Sequence, residues 1–208
     1  MTIAIIGAGN IGGALAGLWA ERGHTVWVGV RDAHSEHALK LKQEINANLT
    51  TVADAVAKAE VIALCVPWHA VPATLGEAAS WAGKILIDVT NPLAADLQSM
   101  EIGTTTSAGE MIADWFPQAR VVKAFNTMGA YLFGDAQFAG LVADGYFCGE
   151  DAAAKAVVGP LIADAGFEPI DVGPLRSARM LEALAMFWID LKVNQRIQGD
   201  FAFKLLRR

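Results

Sequence analysis

The 208 residues are 54% hydrophobic and 18% charged, and 16 Lys and Arg against 22 Asp and Glu give a net charge of −6. That composition buries a sizeable core, excludes a disordered chain, and offers no basic stripe for nucleic acid; the closing KLLRR reads as a solvated terminus. Charge interrupts every window of about 18 residues, with Asp54, Lys58 and Glu60 breaking the best one, and MTIAIIG has no basic n-region, so a cytoplasmic protein without a membrane span is expected.

The first element is an apolar, β-branched strand from Ile3 to Ile6, followed by a helix from Ile11 to Glu21 that Gly23 stops as a left-handed cap. The intervening IAIIGAGNIGGALA (residues 3–16) is a G-x-G-x-x-G turn, and a second strand, TVWVGV (25–30), completes a βαβ unit. Each glycine has its own physical reason: Gly7 permits the turn, Gly9 lets backbone approach a diphosphate, and Gly12 lets helix and strand pack closely. The phosphates are expected at about Asn10 and Ile11, where the helix leaves N–H groups free.

AHSEHALKLKQEINA (33–47) predicts a solvated helix, ANLTTV a short strand and ADAVAKA a helix. Val61 to Val66 is a buried strand ended by Pro67, and WHAVPATLGEAASWA (68–82) the next helix, with Pro72 near its first turn. KILIDV is a strand closed by TNPL, SAGEMIADWF a helix, RVVKAF a strand ending at Asn126, and GYFCG another strand; a helix from Asp151 to Ala165 leads into the strand EPIDVG. Cys65 and Cys148 lie in apolar runs and read as reduced core thiols, and the four histidines have no ligand spacing, so no metal is expected.

Nearly wholly apolar strands alternating with helices predict an α/β, Rossmann-like, doubly wound and mostly parallel sheet, with a short C-terminal helical extension. The junction falls near VGPLRSA, giving a nucleotide-binding unit over 1–173 and an extension over 174–208. Within the extension Met180, Leu181, Leu184, Phe187, Trp188 and Leu191 share one helical face, which reads as core packing or a homodimer interface.

Ligands of such sheets bind beyond the carboxyl ends of the strands. Arg31 stands where a ribose-binding carboxylate is expected and pairs well with a 2′-phosphate, whereas the adjacent Asp32 suits the free ribose of NAD; His34 and Ser35 are further phosphate candidates. VPWH, TNPL and AFNTMG arrive at the same edge, placing Val66, Pro67, Asn91 and Pro92 along a nicotinamide.

IAIIGAGNIGGALA, VWVGVRD, VIALCVPW, ILIDVTNPL and VVKAFNT, in that order, resemble the NADPH-dependent coenzyme F420 reductase family, whose relatives include the cytosolic domain of the STEAP metalloreductases. The resemblance implies a Rossmann domain that binds NADP(H) and moves a hydride to or from a deazaflavin or flavin. It maps the family's loop after the first strand onto Ala8, Gly9, Asn10 and Ile11, and its Ser-Arg phosphate pair onto Val30 and Arg31, so the arginine is kept and the hydroxyl is lost. Such chemistry needs no protein acid or base. No catalytic residue is therefore named, and Asn126, Thr127, Met128 and Trp188 are expected around a small-molecule acceptor. A carbonyl or imine reductase and a non-catalytic NADP(H) sensor are the competing readings; Lys123 and Lys192 offer no evident general acid.

Overall fold

The computed structural model describes residues 1–32, 38, 42, 43, 45, 47–76, 78 and 80–208. In chain order its first elements are β1 (Thr2–Ile6), α1 (Asn10–Glu21), β2 (Thr25–Gly29), β3 (Asn48–Thr50), α2 (Val52–Lys58), β4 (Val61–Leu64), α3 (Val71–Gly76) and β5 (Ile85–Asp88). There follow α4 (Ala108–Trp115), β6 (Arg120–Ala124), β7 (Gln137–Phe138), β8 (Leu141–Val142), β9 (Asp144–Gly149), α5 (Ala152–Asp164), β10 (Glu168–Asp171) and α6 (Ala178–Ile189). The helix expected over 33–47, with His34 and Ser35, lies largely outside the described residues.

Every residue of β4 and β5 is buried, as is β1 from Ile3 on. Strands without a polar face are stable only between two layers. Alternation along β1 divides them: Ile3 and Ile5 join a core with residues of α1 and α5, while Ala4 and Ile6 join one with residues of α2, α3, α4 and α6. The main sheet has the order β10-β9-β6-β5-β4-β1-β2-β3. β1 pairs in parallel with both β2 and β4, so the chain reverses direction across the sheet between β1 and β4, where a doubly wound fold opens its crevice.

Two strands of the mostly parallel sheet run opposite to the rest, and three expectations need correction. GYFCG and EPIDVG belong to β9 and β10, but β9 runs antiparallel to β6. No crossover helix follows β6; residues 125–143 contain only a short turn and the β7–β8 hairpin, so the chain re-enters the sheet in the opposite sense, and α5 then makes β10 parallel to β9. The helix read over 68–82 is a single 3-10 turn at Trp68–Ala70 followed by α3, and Trp81 beyond it fills the core.

The buried face of α6 is also only partly the expected one. Ala178, Leu181, Glu182 and Ala185 face inward, while Met180 is 72% and Phe187 52% exposed. A buried lysine on the sheet, described below, turns Glu182 toward it. The displaced aromatics are met by the chain's own tail: Phe203 stacks on Phe187 at 6.0 Å and Phe201 on Trp188 at 5.2 Å. Lys204, the first residue of KLLRR, is likewise drawn in, donating to Asp144 Oδ1 at 2.8 Å. Among the described residues no helix is long and apolar enough to cross a membrane.

Candidate functional site

The first turn shows why glycine occupies its positions. Gly7 has φ +101°, and a side chain there would also press on the Cys65 carbonyl, 2.6 Å from where a Cβ would sit. A Cβ on Gly12 would lie 1.9 Å from Gly7 O, while one on Gly9 would meet nothing within 4 Å because that face of the turn is open. Gly9 is also the N-cap of α1, with no side-chain cap and no acidic residue in the first turn. The helix therefore begins with N–H groups directed at the opening, a setting that favours an anion.

A cleft of about 710 Å³ lies over this turn, walled by Gly7, Ala8 and Gly9 on one side and Val66 and Pro67 on another, with Val30, Arg31 and Asp32 at the end of β2. Arg31 and Asp32 are both exposed. The volume and the glycine-lined floor fit a dinucleotide. Cys65 is also in the cleft wall; burial, with Asp88 adding to it, pushes its thiol up to about 12 and leaves it protonated at neutral pH.

A second pocket of about 440 Å³ begins where the same turn ends. Asn10 and Ile11 form one side, Asn91, Asn126 and Met128 the floor, and Tyr131 and Trp188 an aromatic wall with ring centroids 6.3 Å apart. Asn91 Nδ2 donates to Asn126 O at 2.9 Å, and Asn126 Nδ2 donates to Asn91 Oδ1 at 3.0 Å. The backbone oxygen fixes the Asn91 orientation and hence that of Asn126, whose Oδ1 is buried with no hydrogen-bond partner among the described residues. The preceding residue, Phe125, is fully buried at φ +62°. Edge-on contacts with Trp19 (5.6 Å) and Phe133 (6.1 Å) hold that disfavoured backbone, which turns Asn126 out of the line of β6.

Not all expected residues reach a cavity wall. Gly12 lies beneath the turn, Pro92 is buried, and Thr127 is 5% exposed, away from the two linings. Trp188, read from sequence mainly as a core residue, is half-buried in the pocket wall.

Residues 2–92 match the family model for NADP oxidoreductase, coenzyme F420-dependent. The F420-dependent NADP reductase of Methanothermobacter marburgensis is 30% identical over 220 residues, covering 96% of each chain. The chain belongs to this family. Another family-like fold is the crystal structure of a candidate F420-dependent NADP reductase from Arthrobacter sp. FB24, with a TM-score of 0.89 and 34% identity over 99% of each chain. Metalloreductase STEAP3 of Rattus norvegicus is 34% identical across 88% of this chain, which spans only 36% of that protein's length. Reductive aminase from Aspergillus terreus, at 21% identity and a TM-score of 0.70 over 94% of this chain and 62% of its own, shares the fold.

Behind the pocket of this F420-dependent NADP oxidoreductase family member lies a cluster that sequence reading missed. Lys123, Asp88 and Glu182 are all 0% exposed. Lys123 Nζ is 2.8 Å from Asp88 Oδ2 and 2.8 Å from Glu182 Oε1, and donates to Thr90 O at 2.5 Å. Glu182 also accepts from Ala108 N at 3.0 Å and Gly109 N at 3.2 Å, closing the first turn of α4. Burial by itself would lower the ammonium's pKa, but Asp88 and Glu182 outweigh it and hold it above its usual value. Burial raises the Glu182 carboxyl against the pull of Lys123. A lysine in VVKAF and an aspartate in KILIDV, each within an apolar strand, signal the pair; the register that sets Asp88 beside Lys123, and the third member 59 positions on, belong to the tertiary fold.

Proposed function

We propose that this protein transfers a hydride between NADP(H) and a flavin-like acceptor, either deazaflavin coenzyme F420 or a flavin. The observation that carries this reading is the second pocket: it opens from the same glycine turn as the nucleotide cleft and is walled by Tyr131 and Trp188. Among the described residues, no carboxylate, imidazole, amine or thiol lies on its wall. A pocket with planar walls and no acid–base pair suits two ring systems that carry the chemistry themselves.

When bound, NADPH supplies the hydride. The backbone of Gly7, Ala8, Gly9, Asn10 and Ile11 would receive the diphosphate, with Gly12 keeping that turn close to the sheet, and Val30 and Arg31 would hold the 2′-phosphate end. Val66, Pro67, Asn91 and Pro92 line the path to the reacting ring, Pro92 from behind the wall. Asn126, Met128 and Trp188 shape the acceptor side, with Thr127 supporting them from beneath. The buried Asn126 oxygen favours a ligand N–H donor that draws the amide toward the pocket. Holding the rings about 3 to 3.5 Å apart and excluding water is the protein's contribution.

Tyr131 favours one competing reading, because its phenol is the sole ionisable group among the described residues of the pocket lining and is the kind of group that protonates a reduced carbonyl or imine. The deciding experiment is titration with NADPH and NADH, then stopped-flow oxidation of bound NADPH by F420, FMN, FAD, a small ketone or a cyclic imine, repeated for Tyr131→Phe. Fast oxidation by one acceptor that survives the substitution supports the proposed transfer. Turnover of a carbonyl or imine that Tyr131→Phe abolishes supports the alternative. Binding without oxidation by any acceptor points to an NADP(H) sensor.

A further inference from the structure

We propose that Lys123 is a positioning residue whose buried ammonium fixes two walls of the acceptor pocket relative to each other. The proposal rests on the reading of that pocket given above. One wall is the turn after β5, where Lys123 Nζ donates to Thr90 O, immediately before Asn91. The same turn is held from its other side by Asp88 Oδ1, which accepts from Thr90 N at 2.9 Å and Thr90 Oγ1 at 2.8 Å. The opposite wall is α6, where Lys123 meets Glu182. Ala185 and Ile189, which line the pocket, follow Glu182 on the same helical face, one and two turns on.

An ammonium has three protons, and Asp88, Glu182 and Thr90 O take all three. None remains for a substrate, so Lys123 is not an acid in the reaction. Nor is stability a sufficient reason for the cluster, because a buried ion network is often replaced by packed apolar side chains at no cost. What apolar packing does not supply is direction. A saturated three-way junction permits one placement of α6 over the Thr90–Asn91 turn, whereas the Leu175, Ala178 and Leu181 contacts alone would let the helix slide. Those contacts, with the two-pronged Arg179 to Glu110 pair at 2.8 and 2.7 Å, keep the helix attached when the junction is cut.

The test is Glu182→Gln, which keeps the side-chain volume but removes the charge facing Lys123 and leaves one oxygen to accept where two now accept from Lys123 Nζ, Ala108 N and Gly109 N. In the nucleotide-free protein, hydrogen exchange is expected to quicken together in residues 90–93 and 185–191. The KM for F420 is expected to rise about tenfold, with the NADPH Kd unchanged within about twofold, since a small misplacement weakens the ring–ring geometry and not the nucleotide cleft. Unchanged exchange in either wall overturns the proposal, as does a lower Tm with unaltered KM, or equal losses in Kd and KM. Trp188→Ala is measured in parallel: if F420 is not reduced, or its KM ignores that change, the pocket assignment fails, while the exchange data still decide whether Lys123 joins the walls. Should Glu182→Gln not fold, Lys123→Met and Glu182→Met together with Asp88→Asn remove every charge of the cluster while an amide oxygen still accepts from Thr90, and that variant is read by the same criteria.

Discussion

Arg31 stands exposed at the mouth of the cleft beside Asp32, so nucleotide choice at this end depends on which of the two faces the ribose. Arg31→Ala is expected to weaken NADPH binding by on the order of 1 to 3 kcal/mol and to leave NADH nearly unchanged. Equal losses in paired titrations would remove the arginine from the phosphate site. Gly12 is a stricter case. Its missing side chain faces backbone, at 1.9 Å from Gly7 O, and backbone does not yield as a flexible side-chain end does. Gly12→Ala therefore displaces α1 from the turn, and an overpacking cost of about 1 to 3 kcal/mol in urea denaturation, with loss of nucleotide binding, is expected. Both residues were legible in the sequence, one through glycine spacing and the other through its place after β2. Tyr131 was not, because its neighbours GAYLFG have neither strand nor helix periodicity and reach the pocket through the strained Phe125 backbone.

Among the elements, helix starts follow local rules closely. Thr51, Ser107 and Asp151 each accept from the backbone N–H three residues on, Asp151 Oδ1 from Ala154 N at 2.7 Å. Asp151→Ala is expected to lower stability by about 1 kcal/mol, read as a shift in denaturation midpoint with binding untouched. The C-terminal tail obeys no local pattern. It is latched where Asp144 accepts from Lys204 Nζ at 2.8 Å and from Leu205 N at 2.6 Å, and it lays Phe201 across Trp188. Deleting residues 200–208 is expected to leave NADPH affinity unchanged, lower the Tm, and raise the KM of the acceptor by uncovering the outer side of Trp188. A deletion that leaves the KM unaltered would confine the tail to a structural role.

At the scale of the molecule, proton release on unfolding sets the alkaline limit. Burial pushes the Cys148 thiol from 9.0 up to about 12, with Lys123 opposing. Burial and a hydrogen bond to Asp144 push the Tyr146 phenol from 10.0 up to about 12. Both groups bind their protons more tightly in the folded chain, so their contribution to stability is complete below the unfolded values and is lost as pH rises through the interval up to about 12. The urea midpoint is expected to fall steadily above about pH 9, and less steeply in Cys148→Ala. An equal slope in that variant would exclude the thiol.

The sequence by itself determined the βαβ unit, the glycine turn and the central apolar strands, because these follow from backbone geometry and short-range periodicity. It also marked Asn91 and Asn126, which both follow strand ends at one edge of the sheet and line the second pocket. Only the tertiary structure decided the antiparallel entry of β9, the inward face of α6 and the aromatic wall of the second pocket. The α6 case gives the reason. Hydrophobic pattern put Met180 and Phe187 on one face with Leu181, for the core or for a homodimer, but Lys123, fixed in a buried strand, needed a carboxylate, and leaving that charge unpaired costs more than exposing two apolar side chains. A preference set by a partner 59 residues away has no trace in a local window.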